Sequence, residues 1–139
     1  MNETLLHRLF GLGKLPRKYA PALQGEGIVL IDEGIGGSVT YKHFRAPGRR
    51  YGWKKSWFTG CLVLTGQTFA AFAWTRPLIR VPLEDKRLSE LQCSVQDGGT
   101  LLIVFEASLF SDKRTGKVKV RFRTAKAKQF LEQLGQKTA

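Results

Sequence analysis

The sequence predicts a mainly β domain: a barrel of two curved antiparallel sheets, about seven strands in all, capped by a C-terminal α-helix. Three observations predict it. From Gly25 onward, short apolar or alternating runs are separated by turn residues rather than by helical segments. Glycines cluster at Gly34, Gly36 and Gly37 inside a strand-like stretch, and Asp97-Gly98-Gly99 forms a strong hairpin signal. At the C-terminus, Ala127, Phe130, Leu131 and Leu134 change to the i, i+3, i+4, i+7 spacing of an amphipathic helix.

The elements follow in chain order. Residues 27–32 (GIVLID) and the resumption at 38–46 (SVTYKHFRA) read as one long first strand, bent where the glycines fall. Residues 46–55 (APGRRYGWKK) hold Pro47, Gly48 and Gly52 and read as a loop into a second strand over 56–65. Gly66-Gln67 connects tightly to a third strand, 68–74, whose aromatic and small residues suit the inside of a curved sheet. Strands are expected over 77–83 and 90–95, then the Asp97-Gly98-Gly99 turn and a buried run at 101–105. After a loop at 111–116, Val118, Val120 and Phe122 alternate with Lys117, Lys119, Arg121 and Arg123, so one face of that strand is apolar and the other cationic. Thr124 is placed to cap a helix over 125–134, its hydroxyl accepting from a first-turn amide.

A chain of 139 residues supports one core. The domain is expected over 25–139, with 1–24 as an N-terminal extension holding a short helix. There Leu5, Leu6, Leu9 and Phe10 sit among Arg8, Lys14, Arg17 and Lys18, a segment suited to packing across the barrel or to a lipid interface. His7 and Arg8 interrupt its apolar run, which is too short for a signal-peptide core, and no stretch has the ~20 apolar residues of a spanning helix. A cytoplasmic location is expected.

Enzymatic chemistry finds little footing. Cys61 and Cys93 stand 32 residues apart in no metal-binding pattern and read as small core residues. His43 reads as a surface residue, and the pairs Asp32-Glu33 and Glu84-Asp85 as solvated turn residues. The Gly34–Gly37 cluster precedes a strand, whereas a dinucleotide fingerprint opens a helix. No catalytic residue, cofactor or metal is expected.

Charge is the functional signal. Lys and Arg number 23 against 11 Asp and Glu, a net +12, which attracts polyanions: nucleic acid, anionic lipid headgroups or an acidic protein face. Two stretches hold bases and no acid. The first contains Lys42, Arg45, Arg49, Arg50, Lys54 and Lys55; the second, residues 113–128, includes Lys117, Lys119, Arg121 and Arg123. Tyr41, Phe44, Tyr51, Trp53 and Trp57 are interleaved with the first, and such rings sit at headgroup interfaces or stack on unpaired bases. Tyr51 and Trp53 are the expected exposed rings, with Trp57 and Phe58 assigned to the barrel, one or both facing inward. The basic face of residues 117–123 also reads as the solvated side of an edge strand, where charge discourages aggregation.

The order of elements resembles the pleckstrin-homology-like superfamily, including GRAM domains and bacterial pleckstrin-homology-like proteins, over residues 25–134. Trp53-Lys54-Lys55-Ser56-Trp57-Phe58 is similar to the Trp-Lys-Lys-Arg-Trp-Phe opening of its second strand, and residues 62–85 (LVLTGQTFAAFAWTRPLIRVPLED) are similar to the GRAM-like succession of strands. Ser56 stands where that motif has Arg, and Phe130 where the closing helix has Trp. The resemblance implies a non-catalytic module that holds an anionic ligand between its first two strands. Lys42, Arg49, Arg50 and Lys54 match the motif, with Arg45, Trp53 and Lys55 beside them. The expected ligand is a membrane phospholipid headgroup, with peripheral membrane association. An acidic protein surface is the first alternative, and nucleic acid on Lys117, Lys119, Arg121 and Arg123 the second.

Overall fold

A computed structural model describes residues 14–138. Its elements are α1 (Ala20–Gly25), β1 (Ile28–Ala46), β2 (Arg49–Thr65), β3 (Thr68–Ala73), β4 (Arg76–Pro82), a 3₁₀ turn (Lys86–Glu90), β5 (Gln92–Gln96), β6 (Thr100–Glu106), a second 3₁₀ turn (Ala107–Leu109), β7 (Thr115–Arg123) and α2 (Ala127–Thr138). The strands form one antiparallel sheet in the order β4-β3-β2-β1-β7-β6-β5. Among the described residues, no helix is long and apolar enough to cross a membrane.

The expectation of two sheets is therefore corrected to a single sheet, and the cause is β1. At 19 residues it far exceeds the usual ~3–10. It pairs with β2 from Ile28↔Thr65 to Ala46↔Arg49 and, on its other edge, with β7 from Gly37↔Phe122 to Arg45↔Thr115. The edges β4 and β5 do not pair with each other, so the sheet is not closed by hydrogen bonds. The expected bend is present: the β1–β2 register slips between Glu33 and Ile35, where Gly34 has φ 68°, a value costly to a residue with a Cβ.

The sheet curls so that both ends share one core. Leu62, Leu64 and Ile79 from one end join Leu101, Ile103 and Val120 from the other. Phe58 meets Phe122 edge-on at 5.3 Å, and α2 inserts Ala127, Phe130 and Leu134, with Phe130 6.5 Å from Phe69. The Asp97-Gly98-Gly99 turn forms as expected. Asp97 and Gly98 have φ 52° and 73°, and the Gly99 amide donates to the Gln96 carbonyl at 3.2 Å.

The other face of β2 and β3 is covered as well. Leu23 of α1 is buried against Cys61, Val63, Ala70 and Phe72, with Leu15, Tyr19, Ile28 and Ile31 around them. Two-sided burial explains why 61–65 and 68–72 are continuously buried instead of alternating. The apolar residues Leu5, Leu6, Leu9 and Phe10 lie outside the described residues.

Asp32 and Glu33 are not turn residues. Both sit within β1, because its bend carries them under neighbouring segments. Glu33 accepts from the Leu15 amide at 2.6 Å, and Asp32 accepts from the Thr124 hydroxyl at 2.5 Å. Thr124 in turn accepts from the Lys126 amide at 3.0 Å, the expected cap, and the Lys126 ammonium donates to the Ile31 carbonyl at 2.6 Å. Asp85 does lie at a turn, where it caps the 3₁₀ turn through the Arg87 amide at 2.8 Å. Its hydrogen bonds from Arg87 hold the carboxyl below the usual carboxylate range.

Because Phe130 is fully buried against Phe69 while Gln129 is exposed, Phe130→Ala should destabilise the fold by about 3–5 kcal/mol and Gln129→Ala by less than about 0.5 kcal/mol, as measured by urea denaturation.

Candidate functional site

Residues 46–55 are not a loop. β1 runs to Ala46 and β2 begins at Arg49, leaving only Pro47-Gly48 to turn, with Gly48 at φ 73°. An aromatic cluster holds this ribbon together. Phe44 lies 4.8 Å from Tyr41 and stacks on Tyr51 at 5.8 Å with rings 16° apart. Composition there reads as loop because glycine, proline and charge outnumber apolar residues, yet a few rings hold the pairing. The basic side chains are consequently divided between the two faces of a two-stranded ribbon.

On the outer face, register gathers residues distant in sequence, since directly opposed residues of antiparallel strands share a face. Trp53, Lys42 and Lys117 form one row across β2, β1 and β7. Lys55, Thr40 and Lys119 form the next, and Trp57, Ser38 and Arg121 the third. Arg123 extends the β7 series, opposite Thr100 of β6. The face is outward because the intervening Val39, Val118, Val120 and Phe122 are buried.

β7 is a central strand with β1 and β6 on either side, so the edge-strand reading of its charges is corrected. Strand order is a long-range property that the alternation of one segment does not encode. Two of the ring assignments hold and one changes: Trp53 is 63% exposed and Phe58 is buried, as expected, and Trp57 faces outward at 67% exposed, while Tyr51 packs against the core instead of standing free. The Lys55 ammonium lies 4.4 Å from the centre of the Trp57 ring.

The charges crowd one another. Among the described residues, none of Lys42, Lys55, Lys117, Lys119, Arg121 and Arg123 is in a salt bridge. Contact with the Lys42 ammonium, and then its charge, holds Lys119 below the ordinary lysine range, with Arg121 and Lys117 adding to the effect. Glu106, opposite Lys117, is the acid that borders the face from β6.

A second arrangement lies at the open end of the sheet, in a cleft of about 340 Å³. Arg49 and Lys54 reach it from β2, Arg76 from the start of β4, and Arg114 from the segment before β7. Tyr51 and Trp74 contribute aromatic walls, and no carboxylate lines it. Trp74 has φ 56°, a left-handed conformation costing roughly 1–2 kcal/mol in a residue with a Cβ, at the β3–β4 turn. The Lys54 ammonium sits 4.5 Å from the Tyr51 ring.

The expected site is thus split. Arg49 and Lys54 enter the cleft; Lys42, Trp53 and Lys55 join the strand-β7 bases on the outer face; Arg45 and Arg50 pair near the ribbon tip and line neither cavity. Arg76, Trp74 and Arg114 were not legible as site residues, because each is separated by a strand or more from the motif; the local Trp-Thr-Arg-Pro turn was the available signal.

His43 is exposed at φ 50°. Burial pushes the Cys93 thiol up to about 11 and Cys61 further, so neither is poised as a nucleophile at neutral pH. Among the described residues, no cluster of His, Cys, Asp or Glu could hold a metal ion. In comparison with known proteins, no family model and no curated protein matches the chain.

Removing the Lys42 charge should let Lys119 titrate higher. In a lysine-side-chain NMR titration, Lys42→Gln is expected to move the Lys119 midpoint upward toward the ordinary lysine value, while Lys54→Gln leaves it in place.

Proposed function

We propose that this chain is a non-catalytic binding module of the pleckstrin-homology-like type that takes a phosphorylated membrane headgroup in the open-end cleft. The observation that carries the reading is convergence. Arg49 and Lys54, Arg76, and Arg114 come from three separate parts of the chain to one cavity without a carboxylate. Isolated surface bases have no reason to meet in this way. The strand order, the curl of the sheet around one core and the helix across it support the barrel-like part of the reading.

The chemistry suits a phosphate monoester. Arg49, Arg76 and Arg114 offer planar forked donors that match phosphate oxygens, and Lys54 adds a compact charge. Ser56 also lines the cleft, at the position where the resembled motif has Arg. The forked donor absent there is available instead from Arg76 and Arg114. Each base held near an anionic bilayer adds about 1 kcal/mol, so the module would associate peripherally with a cytoplasmic membrane face.

Co-sedimentation with phosphoinositide vesicles and phosphatidylserine vesicles matched in total charge tests the reading. Preference for the phosphoinositide is expected, falling at least about tenfold in Arg76→Ala/Arg114→Ala because two charge-assisted bonds are lost. Equal binding to both vesicles, or a preference untouched by the double variant, would count against the cleft. Capture of an acidic protein by the same residues without vesicle binding would replace the headgroup with a protein partner.

A further inference from the structure

We infer that the outer face of β2, β1 and β7 is a second, separate site, built to hold single-stranded nucleic acid. It does not rest on the open-end cleft, although Trp57 and Phe58 border both cavities. Trp53 and Trp57 stand on β2 about 13 Å apart, with Lys55 between them, because each residue advances about 3.3 Å. Two strands away, about 10 Å across the sheet, Lys117, Lys119, Arg121 and Arg123 recur every second residue. Between these rails run Ser38 and Thr40 of β1. A strand of nucleic acid has the same two-sided character, with bases along one side and phosphates along the other.

Two details mark the face as a site and not merely a solvated surface. Thr40, between Lys55 and Lys119, is only 4% exposed, and its hydroxyl has no hydrogen-bond partner. An unpaired buried hydroxyl costs stability, and local arrangements that oppose stability tend to gather at sites of function. Beyond Ser38 the next outward position of β1 is Gly36, which with Gly37 and Ser38 lines a cavity of about 230 Å³ bounded by Trp57, Lys55, Arg121, Arg123 and Thr100. That cavity sets an indole ring opposite guanidinium groups, with hydroxyls at its rim. A planar base can stack there while Arg123 or Lys55 holds the adjoining phosphate.

The shape selects among polyanions. The Lys55 ammonium lies over one face of the exposed Trp57 ring, and Arg121 and Arg123 bound the cavity beside it, so a base that carries its own phosphate fits there better than a hydrocarbon tail. Duplex nucleic acid keeps its bases stacked inside and offers only phosphates to such a face. Single strands alone can use both rails at once.

The test is fluorescence anisotropy of the full chain with a labelled mixed-sequence DNA oligonucleotide, presented as a single strand and as the matching duplex, across a salt series. The single strand should bind more tightly. Trp57→Ala should weaken it at least about fivefold with Trp57→Phe restoring most of the loss, since one stacked base is worth about 1–3 kcal/mol. Lys119→Gln should make the log–log salt slope shallower by about 0.7, the value for one phosphate contact on a single strand. Trp57 is exposed, so its replacement leaves the fold intact. Duplex binding as tight as single-strand binding would overturn the inference, as would indifference to Trp57→Ala. Arg76→Ala/Arg114→Ala should keep the preference for single strands, so failure of the headgroup reading and failure of this one are separately visible.

Discussion

The structure depends on the length of β1. A 19-residue strand paired along one edge with a 17-residue partner and along the other with a 9-residue one cannot remain flat, and it does not. Its bulge at Gly34 turns the chain while preserving pairing with β2 along both arms. Its far arm, freed by the bend, pairs with β7 on the opposite edge. One strand therefore belongs to both halves of the sheet, and the halves must curl around a common core. Helix α2 then fills the curl with Phe130, and Thr124 fixes where that helix begins by bonding to Asp32 on the same strand.

The same geometry gives one sheet surface two characters. Near the start of β1, the outer side is apolar and covered by Leu15, Tyr19 and Leu23. Past the bend the covering segment ends, and the outer side becomes Trp53, Trp57 and six bases drawn from β1, β2 and β7. The inner side changes in parallel, from packed core to an open cleft where Arg49, Lys54, Arg76 and Arg114 meet. Two cationic arrangements that meet at Trp57 and Phe58 follow from where the covering and the core run out.

Much of this was legible because local chemistry decided it. The Asp97-Gly98-Gly99 turn, the alternation of Val118, Val120 and Phe122, and the helical spacing of Phe130 and Leu134 each depend on a few neighbouring residues. What was not legible depends on distant ones. Residues 46–55 read as loop because composition cannot reveal that Tyr41, Phe44 and Tyr51 would stack and hold the ribbon. The central place of β7 comes from pairing with a strand about 80 residues earlier in the chain. Which of Trp57 and Phe58 faces inward was not legible, because adjacent strand residues face opposite ways and strand phase is set by the distant partners; only Phe58 is buried. Asp32 and Glu33 read as solvated because their partners, Thr124 and Leu15, come from other elements.

The basic clusters themselves were plain in the sequence; their merging was not, and it changes their meaning. Charges on a merely solvated face tend to be mixed in sign, because like charges directly opposed across strands destabilise a sheet. Here Lys42 faces Lys117, and Lys119 is crowded by Lys42 strongly enough to hold its proton less firmly. Opposed lysines without an acid between them work against folding and are tolerable only at the protein's surface, where solvent and counterions screen them. An anion placed on the face would convert each of these repulsions into an attraction to a shared partner. Local arrangements that oppose stability tend to fall at sites of function, and among the described residues one such arrangement lies beside the two exposed tryptophans and the buried, unpartnered Thr40 hydroxyl.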